Sequence, residues 1–316
     1  METLLSPIIL FFVLGAIAAL VRSDLVIPET IGKALSLYLM AAIGLKGGVQ
    51  VSQAGLSVEL GLAAAAGLAL SFLLPLPVFW VLRTLGRLDA TNAAAVSAHY
   101  GSVSVVTFVT GIEVLAQGNM PAAGYMVAVL ALMETPAIVT GLLLAQRTGG
   151  VAARPTGELL HEALTNGSVM LLVGSFLIGY IAGPVGFAPI APVFDGAFRG
   201  VLCLFLLDMG LIAARRLRET KSLTLRLAVI AVAVAIVNGI IGVLVGTALG
   251  LDAGSTAALG ILAASASYIA VPAAMRLALP QADPGLYLGM SLAVTFPFNI
   301  LLGIPLYAAM ARFLNP

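Results

Sequence analysis

Nearly uninterrupted apolar runs of about 18 to 25 residues recur from one end of this chain to the other, the length an α-helix needs to cross a bilayer. Lipid offers backbone amides and carbonyls no hydrogen-bond partner, so spanning segments are helices or closed barrels. The runs lack the residue-by-residue alternation of a barrel strand. Of the 316 residues, 61% are hydrophobic and 9% charged, too few polar groups to cover a water-soluble fold. The sequence therefore predicts an all-α membrane protein.

Turn and charge signals place spans near residues 4–21, 31–45, 57–82, 91–116, 121–145, 164–182, 197–213, 225–250, 255–279 and 284–312. Five precede the polar stretch Arg147–Glu162 and five follow it, which divides the chain into two five-helix repeats, residues 1–150 and 151–316. The second and seventh spans read as short. The fourth and ninth are rich in Gly, Ser and Tyr. Between halves, SAHYGSV (Ser97–Val103) lies over SASYIAV (Ser265–Val271), and LYLMAAIGL (Leu37–Leu45) over LFLLDMGL (Leu204–Leu211) with one gap. Because five is odd, the second copy enters the membrane inverted.

Charge at the span ends gives an independent orientation. With the N-terminus outside, the inner ends hold Arg22, Lys33, Arg83, Arg87, Arg147, Arg154, Arg215, Arg216, Arg218, Lys221, Arg226 and Arg276, and the outer ends only Lys46, Arg199 and Arg312. Twelve against three satisfies the positive-inside rule, and both termini are expected outside a plasma (inner) membrane. The first run follows Glu2 rather than basic residues and precedes no small-residue cleavage site, so it reads as a retained helix.

The formal net charge of +1 is dispersed and offers nothing to nucleic acid. Cys203, the single cysteine, has no partner for an intrachain disulfide or metal site and reads as helix packing. No P-loop, metal-ligand spacing or nucleophile elbow is present, so the chain reads as a non-enzyme without cofactors, driven by an ion gradient.

In inverted-repeat transporters the solute binds near the midplane, where interrupted helices expose backbone groups and helix ends. A helix N-terminus carries partial positive charge and free amides, and so holds an anion without Lys or Arg. Two segments fit. Gly101, Ser102, Ser104 and Thr107 form a hydroxyl ladder where glycine lets the backbone open. Ser265, Ser267 and Tyr268 precede Pro272, which suits the first turn of a new half-helix. The competing reading for each serine is close helix packing.

Ionisable groups inside apolar spans are costly and invite a functional reading. Asp208, within Val201–Leu211, is the clearest, as a carboxylate ligand for Na⁺ or as a packing ion pair. Glu134, before Thr135 and Pro136, and its counterpart region with Thr295, Pro297 and Asn299, either line the same cavity or stabilise a proline kink. His99 adjoins the first interruption, as a proton relay or as hydrogen-bonded packing. Glu113 and Lys46 sit near span ends and read as structural.

The segments AIGLKGG (Ala42–Gly48), AHYGSVSVVTF (Ala98–Phe108), LMETPAIV (Leu132–Val139), LLDMGLIAARR (Leu206–Arg216) and SASYIAVPAAMR (Ser265–Arg276) together resemble the sodium-dependent bicarbonate transporter family first known from cyanobacteria. The resemblance runs through nearly the whole chain. It implies Na⁺-coupled uptake of bicarbonate by an elevator-type alternating-access mechanism. A core domain moves against a gate domain in a 5+5 inverted repeat, and the chain assembles as a homotrimer. Carried over by motif, the bicarbonate pocket takes Gly101, Ser102, Ser104, Thr107, Ser265, Ser267 and Tyr268, and sodium takes Asp208 with Ser102 and Ser267. Cyanobacterial members are regulated by a PII-like protein on the cytoplasmic face, but the joining loop here, Gln146–Ala163, is short. A cation/proton antiporter using Asp208 and Glu134, a Na⁺-coupled carrier of another small anion, and a membrane sensor stand as alternatives.

Overall fold

The computed structural model describes residues 6–55, 57–148, 167–220 and 222–315. The expected repeat boundary at residue 150, the joining loop beyond Thr148, Arg154 and Lys221 lie outside them. Among the described residues the chain is helical without strands: α1 (Pro7–Leu20), α2 (Glu29–Ala54), α3 (Val58–Leu73), α4 (Pro75–Thr84), α5 (Ala90–Gly101), α6 (Val105–Gln117), α7 (Met126–Met133), α8 (Pro136–Arg147), α9 (Gly167–Phe187), α10 (Phe198–Glu219), α11 (Leu225–Ala248), α12 (Ala253–Ala264), α13 (Ala270–Ala278) and α14 (Pro284–Leu314). Polar side chains begin several of them. Asp89, Thr224 and Asp252 accept from the amides of Asn92, Leu227 and Ser255 at 2.9, 3.3 and 2.9 Å, occupying donors that a helix start otherwise leaves free.

Among the described residues seven helical stretches are long and apolar enough to cross a membrane: Glu29–Ala54, Val58–Thr84, Ala90–Gln117, Met126–Arg147, Val169–Phe187, Leu225–Ala248 and Pro284–Leu314. Helices α1 and α12 are apolar but only 14 and 12 residues long. Helix α10 has 22 residues and carries Arg199, Asp208, Arg215, Arg216 and Arg218.

The expected short spans 31–45 and 197–213 are corrected to Glu29–Ala54 and Phe198–Glu219. Lys46 does not end its helix, because its ammonium meets Asp195 at 2.6 Å and lies 4.9 Å over the Phe198 ring. At the far end of α10, Arg215 and Arg218 donate to the carbonyls of Leu25 and Ala19 at 2.9 and 3.0 Å. A tertiary partner thus lets each charge remain on a helix that the sequence alone would terminate there.

Two groups of helices emerge from the packing. Helix α1 lies on α10 and α2 on α9, and both contacts run through glycine. A Cβ on Gly210 would stand 2.8 Å from Ala16 N, and one on Gly48 2.6 Å from Tyr180 N. The reciprocal glycines, Gly15 against Leu207 and Gly179 against Leu45, are as crowded, which is how membrane helices bring backbones together. In the second group α12 packs on α11 and the C-terminal part of α14, α5 packs on α4 and α8, and α3 on α7. Burial ranks the stretches. The window through α5 and α6 is 94% buried and that of α9 only 22%, so the former is the centre of the molecule and the latter its rim.

Several stretches are not regular helix. The chain breaks between α5 and α6, between α7 and α8, and between α12 and α13. Helix α9 bends at Gly183, whose φ of 58° favours glycine, just before Pro184. Helix α14 widens into π-turns at Gly289–Thr295 and Asn299–Gly303, around Pro297 and before Pro305, prolines whose missing amides prevent regular bonding.

Candidate functional site

The break after α5 begins with Gly101, where a Cβ would lie 2.9 Å from that of Ala137 and still nearer the Pro75 ring. Only glycine lets α5 end against that wall. Helical geometry stops at Ser102–Ser104 and resumes at Val105 with Ser104 as N-cap, its Oγ accepting from the Thr107 amide at 3.2 Å. The break after α12 covers Ser265–Ile269. There Ser267 Oγ accepts from the amide of Val271, in the first turn of α13, at 3.3 Å.

The two breaks touch. Ser104 N donates to Ser265 Oγ at 2.9 Å, and Ser267 N donates to the His99 carbonyl at 2.9 Å. Each broken strand of backbone thus satisfies the other, as it must where water is excluded. Ser265 Oγ in turn donates to the Leu262 carbonyl at 2.8 Å.

The third break, Glu134–Thr135, flanks the same place. Pro136 opens α8, and two carbonyls at this break accept from neighbouring hydroxyls. Ser71 donates to Met133 O and Ser102 to Glu134 O, both at 2.8 Å. The Glu134 side chain is 3% exposed, and its Oε2 has no hydrogen-bond partner.

These elements enclose a cavity of about 10 Å³, room for one water-sized particle, lined by Val103, Ser104, Glu134, Ser267, Tyr268 and Ala270. The first residues of α6 and α13 form part of its wall, so two positive helix ends converge on it. The Tyr268 hydroxyl is buried without a partner.

On the other side of Tyr268 lies a cleft of about 530 Å³, also bounded by Lys33, Asp208, Arg215, Pro272 and Arg276. Tyr268 and Ile269 line both spaces and form the partition between them. Of the residues singled out in the sequence, Ser104, Ser267, Tyr268 and Glu134 share the small cavity. Ser102, Ser265 and Thr107 join them through hydrogen bonds, and Gly101 shapes the backbone behind. Asp208 stands apart, against Gly32 in the wide cleft.

His99 and Asn299 support the crossing from behind. Nδ1 of His99 bonds the Ala95 carbonyl at 2.7 Å and the ring stacks on Tyr287 at 4.6 Å, leaving Nε2 unpartnered. Asn299 donates to the Ala264 carbonyl at 2.9 Å, at the end of α12. Thr295, singled out in the sequence with Pro297 and Asn299, partners Tyr100 OH at 2.7 Å, and two further supports were not singled out: Ser71, and Asn238, which donates to the Tyr100 carbonyl at 3.4 Å. The lone amide of Asn238 in an otherwise apolar run was the signal available for the last. Among the described residues no group of three or more His, Cys, Asp or Glu is placed to hold a metal ion. The site's polar groups are mostly hydroxyls and helix ends, suited to hydrogen-bonding a small oxyanion and to ligating a hard monovalent cation.

No curated protein matches the chain in sequence. The profile of the Na⁺-dependent bicarbonate transporter superfamily matches residues 7–312, nearly the full length. With seven apolar helical stretches of membrane-crossing length among the described residues and a family profile over nearly its full length, the chain is a multi-pass membrane protein belonging to the Na⁺-dependent bicarbonate transporter superfamily, for which Na⁺ is the coupling ion.

Proposed function

We propose that this chain takes up bicarbonate together with Na⁺ and binds the anion between the starts of α6 and α13. The observation that carries this is the convergence of two helix N-termini and the hydroxyls of Ser104, Ser267 and Tyr268 on one buried cavity. The pocket comprises Gly101, Ser102, Ser104, Thr107, Ser265, Ser267 and Tyr268. Sodium is held beside it by oxygens that include Ser102 and Ser267, and Asp208 in the wide cleft is the carboxylate on its path to or from the inner side.

At about 10 Å³ the cavity is smaller than a bicarbonate ion, so the Tyr268–Ile269 partition has to give way for the solute to pass. We assign the α1, α2, α9 and α10 group to a gate domain and the remaining helices to a core domain that moves past it as an elevator. Adding α1, α10 and the broken pair α12–α13 to the seven long stretches gives ten crossings in two inverted repeats, residues 1–150 and 151–316. The exchange of partners, α1 with α10 and α2 with α9, supports that symmetry, since each helix pairs with an element of the other repeat. Both termini then lie outside the inner membrane, and the cleft with Lys33, Arg215 and Arg276 opens inward. A homotrimer and a PII-like partner on the cytoplasmic face complete the proposal.

The test is uptake of labelled inorganic carbon by proteoliposomes under an inward Na⁺ gradient. Uptake that vanishes when choline replaces Na⁺ is expected. Uptake without Na⁺ refutes the coupling, and Na⁺-driven proton release with no anion requirement would make the chain an antiporter instead.

A further inference from the structure

Glu134 is not explained by the anion cradle. Its carboxylate is 3% exposed, borders the small cavity, and leaves Oε2 without a hydrogen bond. The ion pairs among the described residues join Lys33 to Glu29, Lys46 to Asp195 and Arg199 to Glu113, so none compensates Glu134. An isolated buried carboxylate is strongly disfavoured unless a cation or proton joins it. The same helix ends that would attract a substrate anion face this carboxylate, and two negative charges in one water-excluded space repel each other at close range.

Resting on the transport reading above, we infer that Glu134 is an electrostatic interlock: its carboxylate forms part of a Na⁺ site at the cavity, and an anion enters only after that ion has bound. Size argues for the same order as charge. The cavity of about 10 Å³ accepts a particle no larger than water, which a dehydrated Na⁺ is and a triangular oxyanion is not. The carboxylate and the hydroxyl oxygens of Ser104, Ser267 and Tyr268 form a ligand set of hard oxygens, and the O–H groups of the same hydroxyls stay free to donate to the anion that follows. Ser102 supplies the mechanical link, since its hydroxyl ties the Glu134 carbonyl to the first break at 2.8 Å. A cation drawn to Glu134 therefore acts on the segment that ends α5 and starts α6.

Binding of labelled bicarbonate to the purified full-length protein, with and without Na⁺, tests this on the wild type, Glu134→Gln and Glu134→Asp. The wild type is expected to bind at least about tenfold more tightly in Na⁺ than in choline. Glu134→Gln, uncharged and nearly isosteric, should bind the anion in choline about as well as the wild type does in Na⁺, with less than about a twofold response to the ion. Glu134→Asp should keep the response. Na⁺ alone should raise the thermal midpoint of the wild type and not of Glu134→Gln, a readout that also shows the variant is folded. A Glu134→Gln protein as Na⁺-dependent as the wild type, or equally stabilised by Na⁺, overturns the interlock while leaving Na⁺-coupled transport standing. Wild-type binding in choline equal to that of Glu134→Gln overturns it too, because the carboxylate would then already be neutralised by a proton. A wild type that binds no bicarbonate in Na⁺ removes the transport reading itself.

Discussion

The two breaks present similar polar ends but are held in different ways. In the alignment of the halves, Gly101, Tyr100 and His99 stand opposite Ile269, Tyr268 and Ser267. The first break is walled in: Gly101 is pressed on Pro75 and Ala137, Tyr100 bonds Thr295, and His99 stacks on Tyr287. The second borders open space, with Ile269 40% exposed and the Tyr268 hydroxyl unpartnered. Unequal packing makes the first break a fixed wall and the outer edge of the second, at Tyr268 and Ile269, the movable side, because that edge borders the cleft.

The strongest way to break this contrast is to add volume behind the fixed side. Gly101→Val should cost about 3 kcal/mol or more and abolish folded protein, whereas Ile269→Val should change stability by less than about 1 kcal/mol. Thermal melts of the two detergent-purified proteins decide it, and equal losses would remove the distinction. Next in size, Ser265→Ala deprives the buried Ser104 amide of its acceptor and should cost about 1–3 kcal/mol by the same measurement. A midpoint unchanged by this substitution would mean that the breaks do not depend on each other.

Mobility itself is read by labelling. In a background with Cys203 replaced by Ala, a thiol reagent added from the cleft side should modify Ile269→Cys at least about tenfold faster than Val103→Cys, which faces only the small cavity. Comparable rates would make the first break as open as the second. The smallest effect separates the two tyrosines. Tyr100→Phe loses its bond to Thr295 and should cost about 1 kcal/mol, while Tyr268→Phe should leave stability unchanged and weaken anion binding.

The breaks are legible in the sequence because glycine, serine clusters and proline act locally, on the backbone that carries them. Ser104, Ser267 and Tyr268 are legible for the same reason. The full length of α2 is not, because the partner that keeps Lys46 in a helix, Asp195, belongs to a distant part of the chain. Asp208 was conspicuous as a charge in an apolar run, but periodicity does not say which space a helix face borders, and the structure assigns it the wide cleft. Ser71 and Asn238 matter only through the carbonyls they meet across helices, information that no local pattern holds.

The glycine contacts joining α1 to α10 and α2 to α9 bear on how force travels through the molecule. A side chain absorbs small displacements by changing rotamer, but main chain resting on main chain has no such slack. Each of these pairs should therefore respond to bilayer tension or thinning as a stiff plank, and strain arriving at the rim on α9 would pass undiminished to the seam with the interior rather than dissipate on the way.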